Sequence, residues 1–276
     1  MKDFNSRVAA ITGAGSGIGR ALATRLARSG ADLALSDIDP DGLAETLGRC
    51  EGLGVKVSSS HVDVADREAM YCWADQVVAE HGKVNLIFNN AGVALGATIE
   101  SMSYEDFEWL MGINFWGVVY GTKAFLPHLK ASGEGHIVNM SSVFGLISVP
   151  AQSAYNAAKF AVRGFTDALR IELEMTPCGV SSTTIHPGGI KTAIVRNARF
   201  DESTASLAGD IDKAQKRFNM IALTTPEKAA RQILAAVAKN RRRALIGPDA
   251  KVIDMLGRLP AGLYQRVLAT GAGRLL

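Results

Sequence analysis

Val8-Ala-Ala-Ile-Thr12-Gly13-Ala14-Gly15-Ser16-Gly17-Ile18-Gly19-Arg20 decides how the rest of the chain is read. The small and apolar run Val8 to Thr12 reads as a buried strand. The apolar periodicity from about Ile18 to Ser29, stopped by Gly30, reads as an amphipathic helix. Glycines at 13, 17 and 19 let the turn between them tighten and let backbone approach a bound pyrophosphate. The helix behind the turn offers unpaired N–H groups and the positive end of its dipole. A glycine-rich turn is a weak signal alone, since a strand–helix turn needs no ligand; its weight comes from standing between a strand and a helix. The spacing is Gly-x-x-x-Gly-x-Gly, not the commoner Gly-x-Gly-x-x-Gly.

Outward from this stretch the same alternation continues. Strands are expected at Asp32 to Ser36, Val55 to Val62, Val84 to Phe88, His136 to Met140 and Val180 to His186, with a short one at Ala244 to Gly247. Helical patterns cover Asp41 to Cys50, Arg67 to Gly82, Tyr104 to Ser132, Ala154 to Thr176 and Glu227 to Lys239. Strands separated by helices of this length predict an α/β fold with a parallel sheet covered on both faces. The 276 residues, 47% hydrophobic, suit one domain over 1–276. Within it, 190–225 is irregular and polar and reads as a substrate lid. Residues 251–276 form a C-terminal extension with Val252, Met255, Leu256 and Leu259 at helical spacing, expected to pack on the domain or on another subunit, with a lipid-like surface as the alternative.

Composition removes several classes. The net charge of +3 is small, and Arg241-Arg242-Arg243 reads as a solvated lead-in to a strand, so no nucleic-acid partner is expected. Cys50, Cys72 and Cys178 show neither CxxC nor metal-ligand spacing, which predicts no metal site and fits a reducing, cytoplasmic compartment. Met1 to Arg7 has no apolar stretch of a leader, and no run is long enough for a membrane span.

The residues that carry chemistry follow the strands. Asp37 lies eighteen residues after Gly19, at the end of the second strand. A carboxylate there accepts hydrogen bonds from both adenosine ribose hydroxyls and repels a 2′-phosphate, which favours NAD(H) over NADP(H). Asp63-Val64 falls where an adenine edge would lie. In Asn89-Asn90-Ala91-Gly92 the small residues let backbone pass close to a cofactor, while Asn89 is read as a sheet stabiliser. Tyr155 and Lys159 share one helix face. A lysine charge beside a phenol lowers its pKa and makes it a usable acid/base. Ser142 stands thirteen residues before Tyr155, with Ser141 as its competitor. Asn114 is a polar residue in an apolar helical run, and His186 is read as structural.

In order along roughly Arg7 to Thr192, Thr12-Gly-Ala-Gly-Ser-Gly-Ile-Gly19, Asp63, Asn89-Asn-Ala-Gly92, Asn114, Ser142, Tyr155-x-x-x-Lys159 and Pro187-Gly188 with Thr192 resemble the short-chain dehydrogenase/reductase family. The resemblance implies a Rossmann-type, doubly wound, three-layer sheet of about seven parallel strands and hydride transfer to or from nicotinamide. It implies a catalytic set of Asn114, Ser142, Tyr155 and Lys159: Tyr155 the acid/base, Lys159 its electrostatic partner and a hold on the nicotinamide ribose, and Ser142 a donor to the substrate oxygen, selected over Ser141. Asn114 would kink its helix and bind a water leading to Lys159. The cofactor would run along Gly13, Gly15, Ser16, Gly17, Ile18, Gly19, Asp37, Asp63, Val64, Asn90, Ala91 and Gly92 to Pro187, Gly188, Ile190 and Thr192. Family members form dimers or tetramers through the two long helices.

The expected activity is an NAD-dependent interconversion of a secondary alcohol and a ketone. Apolar residues at 93–95 and 143–149 favour an apolar substrate. Arg196 and Arg199 offer either an acid-binding pair or a solvated loop. The alternatives are an NADP(H)-preferring carbonyl reductase and a non-catalytic dinucleotide-binding regulator. An epimerase or lyase on the same sheet is disfavoured, because only 84 residues remain after Thr192 for a substrate domain.

Overall fold

The computed structural model describes residues 1–192, 194, 198–201, 203, 204 and 223–275. Its main strands are β1 (Val8–Thr12), β2 (Asp32–Asp37), β3 (Val57–His61) and β4 (Leu86–Asn89), then β6 (Gly135–Met140), β7 (Val180–Pro187) and β9 (Arg243–Ile246). A minor pair, β5 (Leu95–Gly96) and β8 (Arg199–Phe200), stands apart. The helices are α1 (Gly17–Ala27), α2 (Pro40–Cys50), α3 (Arg67–His81), α4 (Tyr104–Met111), α5 (Gly117–Ala131), α6 (Ser153–Met175), α7 (Pro226–Ala238), α8 (Pro248–Gly257) and α9 (Ala261–Leu275). The seven main strands are all parallel, in the order β3-β2-β1-β4-β6-β7-β9. The chain steps outward from β1 to β3, then returns to place β4 on the other side of β1. That reversal opens a crevice at the strands' C-terminal ends, where α/β sheets bind ligands.

Period-two alternation divides each central strand between two cores. Ala9 and Ile11 face one with Leu22 and Leu26 of α1 and Ile233 and Val237 of α7. Val8 and Ala10 face the other with Trp73 of α3, Phe125 and Leu129 of α5 and Leu169 of α6. Trp73 meets Phe125 edge-on at 5.1 Å. Asn89 donates to Asn139 Oδ1 (2.8 Å) and Thr122 Oγ1 (3.2 Å), so its amide cross-links buried strands and an adjoining helix.

Three features that periodicity and composition did not resolve bear on the site. The helix expected from Tyr104 to Ser132 is broken by a π-helical turn, Gly112–Trp116, which lies between α4 and α5. Arg199 is neither free nor simply solvated: its guanidinium stacks 3.7 Å over Trp109 and bonds Asp106 (2.8 Å). Its strand β8 pairs with β5, fastening the start of the 190–225 segment to the loop after β4. Arg196 and most of that segment lie outside the described residues. Finally, Val252, Met255 and Leu259 of the C-terminal extension are exposed on this chain.

Candidate active site

The glycine turn is shaped by crowding. Gly13 has φ +64°, and a Cβ on Gly19 would overlap the Gly13 carbonyl. Asn90 fastens the turn to the end of β4, donating from Nδ2 to Thr12 O (2.9 Å) and Gly13 O (3.1 Å). Arg20 ties it to α2 by bonding the Gly15 carbonyl and pairing with Glu45 (2.6 Å). Ser16, exposed and extended at the N-cap of α1, makes no side-chain cap, and no acidic residue occupies the first turn. The amides of Gly17, Ile18 and Gly19 therefore keep their donors and their positive dipole end for an anion. The carboxylate of Asp37 lies beside the turn, with Oδ2 accepting from Gly15 N (2.7 Å) and Oδ1 from Asp39 N (3.0 Å). This donor set fits a dinucleotide: amides for a pyrophosphate and a carboxylate one strand over for a ribose.

Other expected cofactor residues line the same crevice in different ways. Asp63 is exposed and caps its own turn through Ala65 N (2.9 Å). Val64 is buried against Gly117 at the start of α5. Ala91 N donates to Thr12 Oγ1 (3.0 Å), and Gly92 lies beside Asn114 Oδ1 and Lys159 Nζ. Ile190 is buried and bridges Thr224. Thr192 comes close to Gly17, joining the loop after β7 to the glycine turn.

Ser142, after β6, and Tyr155 and Lys159, on α6, are brought together. The Ser142 hydroxyl accepts from Phe144 N (3.1 Å) and lies near enough to Tyr155 to lower its pKa, while Ser141 donates to Lys159 O (2.8 Å). Lys159 Nζ sits 5.4 Å from the centre of the Tyr155 ring and donates to Met140 O (3.1 Å). Burial pushes the phenol of Tyr155 up to about 12, against a lowering by Ser142. Burial brings the ammonium of Lys159 down to about 8. Burial thus disfavours the charged form of each side chain, against which the Lys159 charge expected to favour a Tyr155 phenolate has to act. Asn114, fully buried in the π-helical turn, clamps the backbone of Val93, accepting from its N–H and donating to its C=O (both 2.8 Å).

His186 lies at the end of β7. It is buried, with its pKa lowered to about 4, chiefly by desolvation. Its Nδ1 donates to Ser142 O (2.8 Å), so it fixes the serine's backbone. The sequence reading missed Asp249, in the first turn of α8. Its Oδ2 accepts from Gly189 N (2.6 Å), anchoring the Pro187-Gly188-Gly189 loop. No local motif marks this contact, which spans sixty residues. Gly247-Pro248-Asp249 reads as an ordinary helix start. Phe144 meets Tyr155 edge-on at 6.1 Å, extending an apolar wall toward Leu146 and Ile147.

A family model for short chain dehydrogenases matches residues 7–203, and the chain belongs to that family of oxidoreductases. A Mycobacterium tuberculosis protein carrying the name Putative oxidoreductase SadH is 51% identical over 276 residues, covering 99% of this chain and 98% of its own. A short-chain dehydrogenase/reductase from Burkholderia phymatum, solved in complex with NAD, matches with a TM-score of 0.86 at 32% identity, over 93% of this chain and 94% of its own. An alcohol dehydrogenase from Thermococcus sibiricus, complexed with 5-hydroxy-NADP, matches with a TM-score of 0.72 at 26% identity, over 87% and 96% of the two chains.

Proposed function

We propose that this oxidoreductase interconverts a secondary alcohol and a ketone of apolar character, with NAD(H) as cofactor and Tyr155 as the acid/base. The observation that carries this reading is the meeting of Ser142, Tyr155 and Lys159 at the C-terminal edge of the sheet, beside the uncapped start of α1. In oxidation Tyr155 takes the hydroxyl proton; in reduction it returns it to the carbonyl oxygen. Ser142 donates to that same oxygen and stabilises the alkoxide-like charge. Lys159 holds positive charge behind the phenol, and Asn114 fixes the Val93 backbone next to it. When bound, nicotinamide accepts or supplies the hydride. Pro187 to Thr192 would close over it.

NAD(H) is favoured by Asp37, whose carboxylate would repel a 2′-phosphate. NADP(H) use is the second reading, supported by the Thermococcus relative's NADP derivative. Apolar residues of 93–95 and 143–149 support an apolar substrate. Exposed Trp116, Phe160, Ile171 and Met175, on and beside the two long helices, support a homodimer or homotetramer, and three free cysteines support a reducing, cytoplasmic setting. The test follows NADH and NADPH absorbance over a panel of secondary alcohols and ketones. Tyr155→Phe is expected to lower kcat by about 100- to 10,000-fold, the scale of acid–base catalysis, with NADH binding by fluorescence retained. Wild-type turnover in Tyr155→Phe refutes the role of Tyr155, and a strong NADPH preference refutes that of Asp37.

A further inference from the structure

The last two helices expose apolar side chains in an ordered way. On α8, Val252 is 68% exposed and Met255 70%, and Leu259, two residues past its end, is 39% exposed. At 100° per residue, Lys251, Met255 and Val252 fall on one arc of α8, with its C-cap Arg258 at the border. On α9, Leu263 is 49% and Val267 44% exposed, again four residues apart, with Arg266 exposed beside them. The opposite edge of α8 is held to the body. Asp249 binds Gly189 (2.6 Å), Ala250 is fully buried, and Gly257 sits against Leu146 and Ile147. The apolar arc is therefore presented outward in a fixed orientation.

Charge distinguishes among possible occupants. Residues 251–276 contain Lys251, Arg258, Arg266 and Arg274 against the single acid Asp254, which pairs with Arg258 at 2.9 Å. The surplus of this segment equals the net +3 of the whole chain, so the rest of the protein is balanced. We propose that the α8–α9 face docks on the surface of an anionic lipid bilayer, with the helices lying in the interface. Apolar residues flanked by Lys and Arg are the pattern of interfacial helices. The long cationic side chains lay their stems beside the apolar arc and reach lipid phosphates with their heads. Neither helix is long and apolar enough to cross a membrane. A second copy fits this face less well, because an isologous contact would bring together two segments that each carry a surplus of three positive charges.

The proposal stands apart from the catalytic reading and is tested without substrate. The full chain is sedimented with phosphatidylcholine vesicles, with and without phosphatidylserine. Binding is expected to the phosphatidylserine vesicles, at least about tenfold tighter than to the neutral ones, and to weaken as salt screens the cations. Met255→Glu with Leu263→Glu is expected to abolish it. Lys251→Glu with Arg266→Glu, at exposed positions outside the core, is expected to remove the preference for phosphatidylserine while the melting temperature holds. Failure to sediment with either vesicle overturns the proposal, as does equal binding to both. It is also overturned if Met255→Glu with Leu263→Glu splits an oligomer while vesicle binding persists, which would make the face a subunit contact.

Discussion

Gly188 and Asp249 form a coupled pair whose energetics can be measured. A Cβ placed on Gly188 would meet three atoms first, all of them the carboxylate of Asp249, and all far inside van der Waals contact. The backbone of Gly188 is not in the left-handed region, so an alanine there is opposed by the aspartate rather than by its own φ. Gly188→Ala is thus expected to expel Asp249 and break the bond to Gly189 N. Hydrogen bonds to charged groups contribute about 1.5–3 kcal/mol, and the partly exposed Asp249 belongs at the lower end, about 1.5 kcal/mol. For a chain of this size that corresponds to a fall in Tm of roughly 3–6 °C. Asp249→Ala removes the same bond directly and is expected to cost the same. The double variant removes both the obstacle and the bond, so its Tm should match the single variants instead of falling twice as far. The assay is thermal unfolding of the four proteins, with NADH titrated into each. Because the loop would cover the nicotinamide, NADH affinity should fall in both single variants, by up to about tenfold for 1.4 kcal/mol. Asp249→Asn, which keeps an acceptor for Gly189 N–H, should recover part of the loss. Additive Tm losses would refute the argument, as would unchanged NADH affinity in Asp249→Ala.

Two further outcomes follow from buried polar groups. Asn114→Ala leaves the N–H and C=O of Val93 without their partners, an expected loss of about 2 kcal/mol together with a fall in kcat. Asn114→Asp should not rescue it, since a carboxylate cannot donate to Val93 O, and a variant with wild-type kcat and Tm would contradict the clamp. His136 and His186 are held neutral by burial, at about 3 and about 4, below the 6.5 of a free ring. Their folded pKa values are depressed, so the unfolded chain binds more protons below pH 6.5. Stability is then full above that pH and falls as pH drops toward 4, by about 1.4 kcal/mol per pH unit for each ring. Urea unfolding across this window should show a shallower slope for His136→Gln, which keeps a partner for Thr183, and an unchanged slope would show that His136 plays no part in the acid loss.

The strand–turn–helix at Val8 to Ala27 was legible because each of its signals is local: apolar run, glycines and helical period lie within twenty residues. The order of the remaining elements was legible for the same reason, with ends displaced by a residue or two, as in β3 at Val57–His61 against an expected Val55 to Val62. The π-helical turn at Gly112–Trp116 was not read from periodicity. The odd polarity of Asn114 and the kink that the family resemblance implied there pointed to it, while the side chain's partner, Val93, lies in another loop. The anchoring of Arg199 to Trp109 and Asp106 and the grip of Asp249 on Gly189 were invisible because nothing near either residue encodes its partner. Ser142 and Tyr155 could be singled out by spacing, yet what separates Ser142 from Ser141 physically is tertiary: one hydroxyl faces Tyr155 and the other the carbonyl of Lys159.

The pairing of Lys159 with Tyr155 shows how far helix spacing reaches. Positions four apart on a helix bring Tyr155 and Lys159 onto one face, but sharing a face does not bring their charged atoms together. Lys159 Nζ points to Met140 O and lies beside Gly92 and Asn114, 5.4 Å from the ring centre of Tyr155. The burial that makes a lysine charge effective at a distance also removes the water that would stabilise a phenolate. The two side chains are thus displaced in opposite directions, the phenol upward and the ammonium downward, which favours the uncharged form of each. A site at rest in this state holds its proton on Tyr155, the form suited to protonating a carbonyl. Proton removal in the oxidative direction needs further positive charge or hydrogen bonds at the phenol oxygen. Ser142 is the donor the protein itself places there, and the lowering it exerts is smaller than the rise due to burial. The groups this chain brings to the phenol are Ser142 and, 5.4 Å from the ring centre, Lys159, and a ligand filling the crevice between Lys159 and Tyr155 would add to them.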